Sequence, residues 1–305
     1  MRLRLRPASI HQLNIFKCIV ENGGFSAAQG KLNMSAASIS LGMKELEGQI
    51  GMKLCQRGRS GFKITEHGQR VYDAAEVVFA AMDDLNLALS HIRKELVGEI
   101  RIALQDNLAT SPAFRLSESL AQFNARENQV SFRFDEAMSS EQAHGVLNGR
   151  YHLAIGVFQH RVAGLRYEKL FDEEVGLYCA HSHPLFSVPD DEISLQSIQS
   201  CNYISSGPIE GTLSAIERVT PTPTPSAVTE NMDALAILLL SGGYLGRLPT
   251  HFAKPWVDKN LMKPLMPDQI SDNVEFYLIT KRGAHQPHIV DTFLKDLKAC
   301  HNLEP

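Results

Sequence analysis

The chain has 305 residues, of which 44% are hydrophobic and 21% charged, with a formal net charge of −4. That length exceeds one typical domain, and the balance is that of a soluble globular protein. The longest apolar run, Ala234 to Leu240, falls far short of the roughly 20 residues that span a bilayer. The basic start MRLRLRPASI has no apolar stretch behind it, so neither a membrane span nor a signal peptide is expected, and a cytoplasmic location is.

The charge is unevenly spread. Residues 1–65 hold ten Lys/Arg against three Asp/Glu, and the remainder 20 against 31. A small basic head on a larger acidic body points to a polyanion as the head's partner, with chance clustering of surface charge as the plainer alternative. Cys18, Cys55, Cys179, Cys201 and Cys300 are scattered and contain no CxxC pair, which suits reduced thiols better than a disulfide framework.

In chain order, Ile10, Leu13, Phe16, Ile19 and Val20 recur at helical spacing, with Ser9 as the expected N-cap and Gly23-Gly24 as the stop. Ser26-Ala27-Ala28-Gln29 has the form of a capping box for a short second helix ending at Leu32. Ser35 is expected to cap a third, in which Ile39, Met43, Leu46 and Ile50 share one face while Ala37, Leu41 and Lys44 look away. The start of that helix is almost bare: Ser35, Ala36, Ala37, Ser38 and Ser40 are small or hydroxylated. Two short helices joined by a tight turn, the second with a bare start, describe a helix-turn-helix. Small side chains let such a helix seat deeply in a DNA groove, where its N-terminus and hydroxyls meet phosphates. A plain three-helix core is the alternative. LCQRGRSGFKIT then reads as strand, Gly-rich turn and strand with Arg57 and Arg59 at the tip, a wing suited to phosphates or the minor groove.

Beyond Thr65, Val71, Ala75, Val78, Met82, Leu85, Leu89, Ile92 and Leu96 fall at alternating steps of four and three. This is a heptad seam on a long helix, with no second helix nearby in sequence to cover it. The body alternates strand and helix. EIRIAL, VSFRF, HLAIGVF, EVGLYCA, NYIS and VEFYLIT are strands, Ser111-Pro112 opens a helix, and MDALAILLLS is a buried helix before Gly242-Gly243. Such alternation predicts a mostly parallel α/β sheet. TPTPTP, from Thr220 to Pro225, reads as a polyproline-like connector.

Leu13 to Gly68 resembles the winged helix-turn-helix of LysR-type transcriptional regulators. The resemblance is carried by Phe25, Ser26, Ala28, Leu32, Met34, Ser35, Ile39, Ser40, Met43, Leu46 and Glu47, and then by Leu54, Arg57, Thr65 and Gly68. The chain departs from the pattern at Ala36, where the family has a base-reading Gln, and at Gln29, Gly42 and Cys55. With Ala36 in that place, more of the contact falls to Ser35, Ser38 and Lys44. Further on, LNGRYHLAIGV, HSHPL and GGYLGRLP resemble family segments, with His152 in place of an Asp.

The resemblance implies an α+β multidomain chain. A winged helix-turn-helix occupies 1–65 and a dimerising linker helix 66–96. An α/β effector domain occupies 97–305, made of two periplasmic-binding-protein-like subdomains, one of about 97–166 with 270–305 and one of about 167–269. It places crossing strands near Leu165–Leu170 and Leu265–Val274, with the effector in the cleft between the subdomains. The linker helix pairs with that of a second subunit, through Val78, Met82, Leu85 and Leu89. DNA-contact candidates are Ser26, Ser35, Ala36, Ala37, Ser38, Ser40, Lys44, Arg57 and Arg59.

Ligands of such folds sit at strand C-termini and helix N-termini. That makes Asp106, Asn107, Met138, Ser139, Gly156, Phe158, Ser205, Ser206 and Asn231 candidates, although loop solvation or helix capping also accounts for each. Asp106 would be odd in an anion site and hints at an amine or a hydroxyl on the ligand. The implied partners are double-stranded promoter DNA, a small-molecule effector and further copies of the chain, as a homodimer or homotetramer, with no membrane and no cofactor. Cys179, His181 and His183 form C-x-H-x-H but have no fourth ligand nearby, so no metal is expected. No Walker loop, G-x-G-x-x-G after a strand or G-x-S-x-G elbow is present, which leaves an enzyme as the least favoured class. A solute-binding protein is the other alternative, because the body alone would look like one.

Overall fold

The computed structural model describes residues 7–58, 61–92, 96–205, 226–283 and 286–304. The chain divides into two compact units, Met1–Asn86 with Asn148–Arg150, and Leu87–Leu147 with Tyr151–Pro305.

The first unit contains α1 (Pro7–Glu21), α2 (Phe25–Leu32) and α3 (Ala36–Ile50). A hairpin of β1 (Cys55–Gly58) and β2 (Gly61–Ile64) follows, then α4 (Glu66–Ile92). Leu13, Phe16, Ile19, Ile39, Met43, Leu46 and Leu54 form its core, so the periodic positions of α1 and α3 face inward as expected. Two helix starts differ from expectation. Pro7, a residue that fits the first turn, begins α1, so Ser9 lies inside the helix, buried, and donates to Gln49 Oε1 at 2.8 Å. Gly24 takes the N-cap of α2, which makes no side-chain capping bond; Ser26 therefore sits within the helix, and the capping box is not made.

Thr65 and Gly68 join the hairpin to α4. The Thr65 hydroxyl donates to Lys53 O at 2.8 Å and accepts the Gly68 N–H at 2.9 Å. A Cβ on Gly68 would fall 2.0 Å from Leu54 O, so any side chain there would force the hairpin away from the helix. The first turns of α4 are not unpartnered within the chain, as the seam alone suggested. Ala75 is buried in the head core, and Val71, Tyr72 and Phe79 pack against it. The open seam begins at Val78 and continues through Met82 to Leu85, which is 61% exposed. It also stops earlier: α4 ends at Ile92, and Leu96 packs instead against the core of the second unit.

The second unit is built from β3 (Val97–Leu104), α5 (Leu116–Asn124), β4 (Gln129–Glu136), α6 (Ser139–Asn148), β5 (Leu153–Gly156) and β6 (Leu165–Ala180). Then come α7 (Leu195–Gln199), β7 (Ile204–Ser205), β8 (Ala227–Val228), α8 (Met232–Leu240), β9 (Leu245–Pro249), α9 (Thr250–Val257), β10 (Met262–Pro264), β11 (Ser271–Lys281) and α10 (His288–Cys300). The main sheet has the order β10-β6-β11-β5-β3-β4, with β9 also on β6.

Within the main sheet, among the described residues, only the pairs of β3 with β4 and β5 are parallel; β11 is antiparallel to both β5 and β6, as are β9 and β10 to β6, while the separate β7–β8 pair is parallel. The expected mostly parallel sheet is thus mixed. The cause is the two long strands. β6 and β11 run side by side in opposite directions, from Leu165↔Lys281 to Gly176↔Ser271, and slip register between Phe276 and Tyr277. One end of this ribbon carries β5, and the other carries β9 and β10. The ribbon is therefore the crossing between two lobes. Its second strand starts at Ser271 rather than near Leu265, since Leu265, Met266 and Ile270 are used as buried residues of one lobe's core.

A helix opening at Ser111-Pro112 is also not formed. The Ser111 N–H bonds to Leu108 O and the Phe114 N–H to Ser111 O, and these tight turns delay α5 to Leu116. Arg126 ties α5 to α10 through both oxygens of the buried Asp296, at 2.6 and 2.7 Å. His152 is buried, and its Nδ1 accepts the Arg101 N–H at 3.0 Å, bracing β5 against β3. The TPTPTP segment lies outside the described residues.

Candidate nucleic-acid interface and ligand cleft

At the start of α3 the Ser35 hydroxyl accepts the Ser38 N–H at 3.1 Å, and the two hydroxyls lie 2.9 Å apart. Ser35 is thus the N-cap, as expected. Ala36, Ala37, Ser38, Leu41 and Lys44 are exposed, Ser40 is half-buried, and Ile39, Met43 and Leu46 are buried beneath. The outward strip therefore runs from a helix N-terminus with free backbone N–H groups through small side chains to one cation.

Ser26 is exposed at the start of α2. It borders a hollow of about 350 Å³ shared with Gly61 and Phe62 of the hairpin, and the Phe25 and Phe62 rings meet edge to face at 6.2 Å. Arg57 lies within β1, its Cα opposite Phe62, rather than at the tip; Arg59 lies outside the described residues. Glu47, at the end of α3, positions the hairpin. Its carboxylate accepts from Lys53 Nζ at 2.6 Å and from the Leu54 N–H at 3.0 Å. Burial pushes this carboxyl up, but the bonds from Lys53, Leu54 and Cys55 outweigh it and hold the group below the usual glutamate range.

In the second unit the strand ends bring several candidates together across the two lobes. β3 runs into Gln105, Asp106 and Asn107, the last at φ 59°. Asp106 Oδ2 accepts the Asn107 side-chain N–H at 2.9 Å and, from the other lobe, the Met232 N–H at 3.2 Å. Asn231 caps that helix, its Oδ1 accepting the Ala234 N–H at 2.9 Å. Burial raises the Asp106 carboxyl above the usual aspartate range; the Met232 N–H pulls the other way, and Asp233 adds to the rise.

Met138 and Ser139 are exposed at the start of α6. Gly156 ends β5, and Ser205 ends β7. Phe158 is turned to pack on Tyr167, with ring centroids 5.6 Å apart. Ser206 lies outside the described residues. His183 Nδ1 accepts the Leu185 N–H at 3.1 Å and Cys179 is buried in the core. Among the described residues no group of three His, Cys, Asp or Glu stands together as a metal site.

Sequence reasoning missed two features of this cleft. Gln142 is fully buried; its amide nitrogen donates to Ala137 O at 2.8 Å, while its Oε1 has no hydrogen-bond partner. A Cβ on Gly156 would lie 2.7 Å from that oxygen and 3.3 Å from Gln105 Oε1, so glycine makes room for two amide acceptors at the strand end. The other feature is His251. Its Nδ1 lies 2.9 Å from Thr110 Oγ1 in one lobe, and its Nε2 lies 2.8 Å from Glu173 Oε1 on the crossing strand. No sequence signal marked it: Glu173 stands in the acidic run Asp172-Glu173-Glu174 of a strand that also carries Arg166, Glu168 and Lys169.

Residues 93–300 match the family model described as LysR substrate binding domain. Residues 10–69 match the model described as bacterial regulatory helix-turn-helix protein, lysR family. The chain is 32% identical over 289 residues to the HTH-type transcriptional activator BauR of Pseudomonas aeruginosa, covering 94% of this chain and 93% of that protein. It is similar in fold to CbnR, a LysR family transcriptional regulator, with TM-score 0.65 and 19% identity over 96% of this chain and 99% of that one. Full-length CbnR in complex with its target DNA gives TM-score 0.65 at 20% identity, over 95% and 99% of the two chains.

Proposed function

The chain belongs to the LysR-type family of transcriptional regulators, and from that premise we propose how its residues divide the work. The head binds double-stranded promoter DNA through Ser26, Ser35, Ala36, Ala37, Ser38, Ser40 and Lys44, with Arg57 and Arg59 of the wing on the backbone. The single observation that carries this reading is the exposed start of α3, where small side chains stand over a buried hydrophobic face. A groove admits such a helix end, and its N–H groups and hydroxyls meet phosphates.

The body takes a small-molecule effector between its lobes, at Asp106, Asn107, Met138, Ser139, Gly156, Phe158, Ser205, Ser206 and Asn231. The acceptors at the end of β3 favour an effector that brings hydrogen-bond donors: Asp106, and the amide oxygen of Gln105, which takes the Val157 N–H at 3.0 Å and has a second lone pair to offer. Binding would shift the balance between arrangements of the lobes, since a ligand biases whichever state it binds better.

The division is 1–65 for the head, 66–96 for the linker helix and 97–305 for the effector domain, assembled as a dimer or tetramer through Val78, Met82, Leu85 and Leu89. We read the chain as a regulator acting on DNA in the cytoplasm, not as an enzyme. No helix among the described residues is long and apolar enough to cross a membrane.

The test is a gel-shift salt series on a duplex selected from a random pool by the wild-type protein. Binding should weaken steeply with salt through counterion release. Arg57→Ala should lower affinity for all sequences and reduce the slope by about 1 for each phosphate left without its cation. Salt-independent binding, or an unchanged slope in Arg57→Ala, would remove the wing from the interface.

A further inference from the structure

A cavity of about 990 Å³ opens in the second unit away from the strand ends that form the effector cleft. It is lined where β6 begins, where β11 ends and along α10. β5 runs from Leu153, opposite Thr280, to Gly156, opposite Tyr277. The cleft candidates lie at the Gly156 end, and the cavity lies at the other, around the Leu165↔Lys281 pair.

Its chemistry is opposite to that of the cleft. Arg161, Arg166, Lys281, Arg282, Lys295 and Lys298 line it, against two carboxylates, Glu168 and Asp291. Residues 66–305 hold 20 Lys/Arg and 31 Asp/Glu, so six cations in one hollow run against the charge of the region that carries them. Glu168 is shared by Arg166 at 3.2 Å and Lys298 at 2.8 Å, and so neutralises at most one of them. Lys298 is only 8% exposed, which makes its charge costly to leave without full compensation. The Arg161 guanidinium lies 5.6 Å from the ring centroids of both Tyr167 and Tyr277, held by cation–π contact rather than waving free. Lys281, Arg282 and Lys295 form no ion pair among the described residues. Scattered surface lysines would be solvated singly. Here the cations come from three elements and face one concavity, where like charges repel unless an anion enters.

We propose that this cavity is a second ligand site, for a small molecule carrying two or more phosphate groups. One carboxylate would leave most of the positive charge uncompensated, whereas a polyphosphate presents charge along its length and accepts several charge-assisted hydrogen bonds at once. The volume lies at the upper end of the roughly 300–1,000 Å³ typical of small-molecule pockets, which suits a ligand of nucleotide size. The regulator would then answer to two ligands of opposite character, a donor-bearing one in the cleft and a polyanion here.

The probe is inorganic tripolyphosphate, titrated calorimetrically into the full chain at a fixed, near-physiological ionic strength, with orthophosphate as the comparison. Three variants separate the sites: Lys281→Ala with Arg282→Ala in the cavity, Lys44→Ala in the head, and Asn107→Ala with Ser205→Ala in the cleft. Lys281 and Arg282 are exposed, so their removal should leave the fold intact. Expected are one tripolyphosphate per chain, weaker orthophosphate binding, and a loss of roughly tenfold for each cavity cation removed. The Lys44→Ala variant and the cleft pair should bind as the wild type does. No binding, or full binding by the cavity variant, overturns the proposal. So does a loss confined to Lys44→Ala, which would mean that the polyanion merely occupies the DNA surface.

Discussion

In the head, the side chains proposed to meet DNA fall between residues 26 and 59, on adjoining turns of two helices and one hairpin. In the body, Asp106 meets Met232 across 126 residues of chain, Thr110 meets His251 across 141, and Arg126 meets Asp296 across 170. The first surface is local: it exists wherever α2, α3 and the hairpin form. The second exists only when β6 and β11 hold two lobes, one of them made from separated stretches, in one register. A local surface suits a fixed target such as a duplex. A surface split between lobes can open and close, which is what sensing a ligand requires.

The largest effect should come where the head depends on something outside itself. Val71 and Ala75 of α4 are covered by the head core, but Val78, Met82 and Leu85 are open. A seam left in water needs a second helix to cover it. Burying Leu85 is worth roughly 1.5–3 kcal/mol in each subunit. Leu85→Asp loses that twice and sets two carboxylates in an apolar contact, so the dimer should weaken by several kcal/mol. Operator affinity should fall with it, because linked heads gain on the order of 10²–10⁴ by effective concentration. Analytical ultracentrifugation and gel shift should report both losses together. An unchanged oligomer with undiminished binding would mean that this stretch has its partner within its own chain.

The same contrast governs what can be read from the sequence. Ile39, Met43 and Leu46 announce the buried face of α3, and Ser35 its cap, because helix period and capping are properties of a few consecutive residues. Where local signals compete, the more familiar one misleads. Pro7 and Gly24 take the helix starts that Ser9 and Ser26 advertise. In the body the apolar runs mark the strands, but not their directions; the antiparallel pairing of β11 with β5 is set by the ribbon it forms with β6. His251 carries no local mark, since its partners Thr110 and Glu173 lie in other segments, and the buried oxygen of Gln142 is set against Gly156 only by the packing of α6 on β5. The six cations that line the basic cavity are likewise ordinary surface residues until the fold gathers them.

A smaller effect should separate head from body by pH. Glu47 is held below its ordinary range in the folded head, and its side chain is 11% exposed. A carboxyl depressed by folding contributes stability that is present above its unfolded value and is lost as pH falls through its folded value. Lys53 is well exposed, so most of the contribution comes from the Leu54 N–H. A hydrogen bond to a charged group is worth about 1.5–3 kcal/mol. On acidification from about pH 6, the wild-type head should lose melting temperature faster than Glu47→Gln does. The two should converge once the carboxyl is protonated. Parallel curves at every pH would show that Glu47 does not brace the hairpin.

The smallest effect is expected at the effector cleft, where the contacts are neutral. Asn107 stands beside Asp106 at the end of β3, and Ser205 ends β7 in the other lobe. Truncating either to alanine removes about one neutral hydrogen bond to the effector, worth roughly 0.5–1.5 kcal/mol. Because the two groups belong to different lobes, their losses should differ in kind. Asn107→Ala also removes one of the two N–H donors that Asp106 Oδ2 accepts, leaving that of Met232, so the oxygen gains room for a donor on the ligand. Its net cost should therefore be the lower of the two for an amine-bearing effector and the higher for an effector without one. A thermal-shift screen of metabolites against the full chain supplies the ligand, since binding to the native state raises its melting temperature. Calorimetry on the two variants then gives the affinities. DNA affinity without effector should be unchanged in both, because neither side chain belongs to the head. Equal affinity of both variants and wild type for the effector would show that the ligand sits elsewhere than between these strand ends.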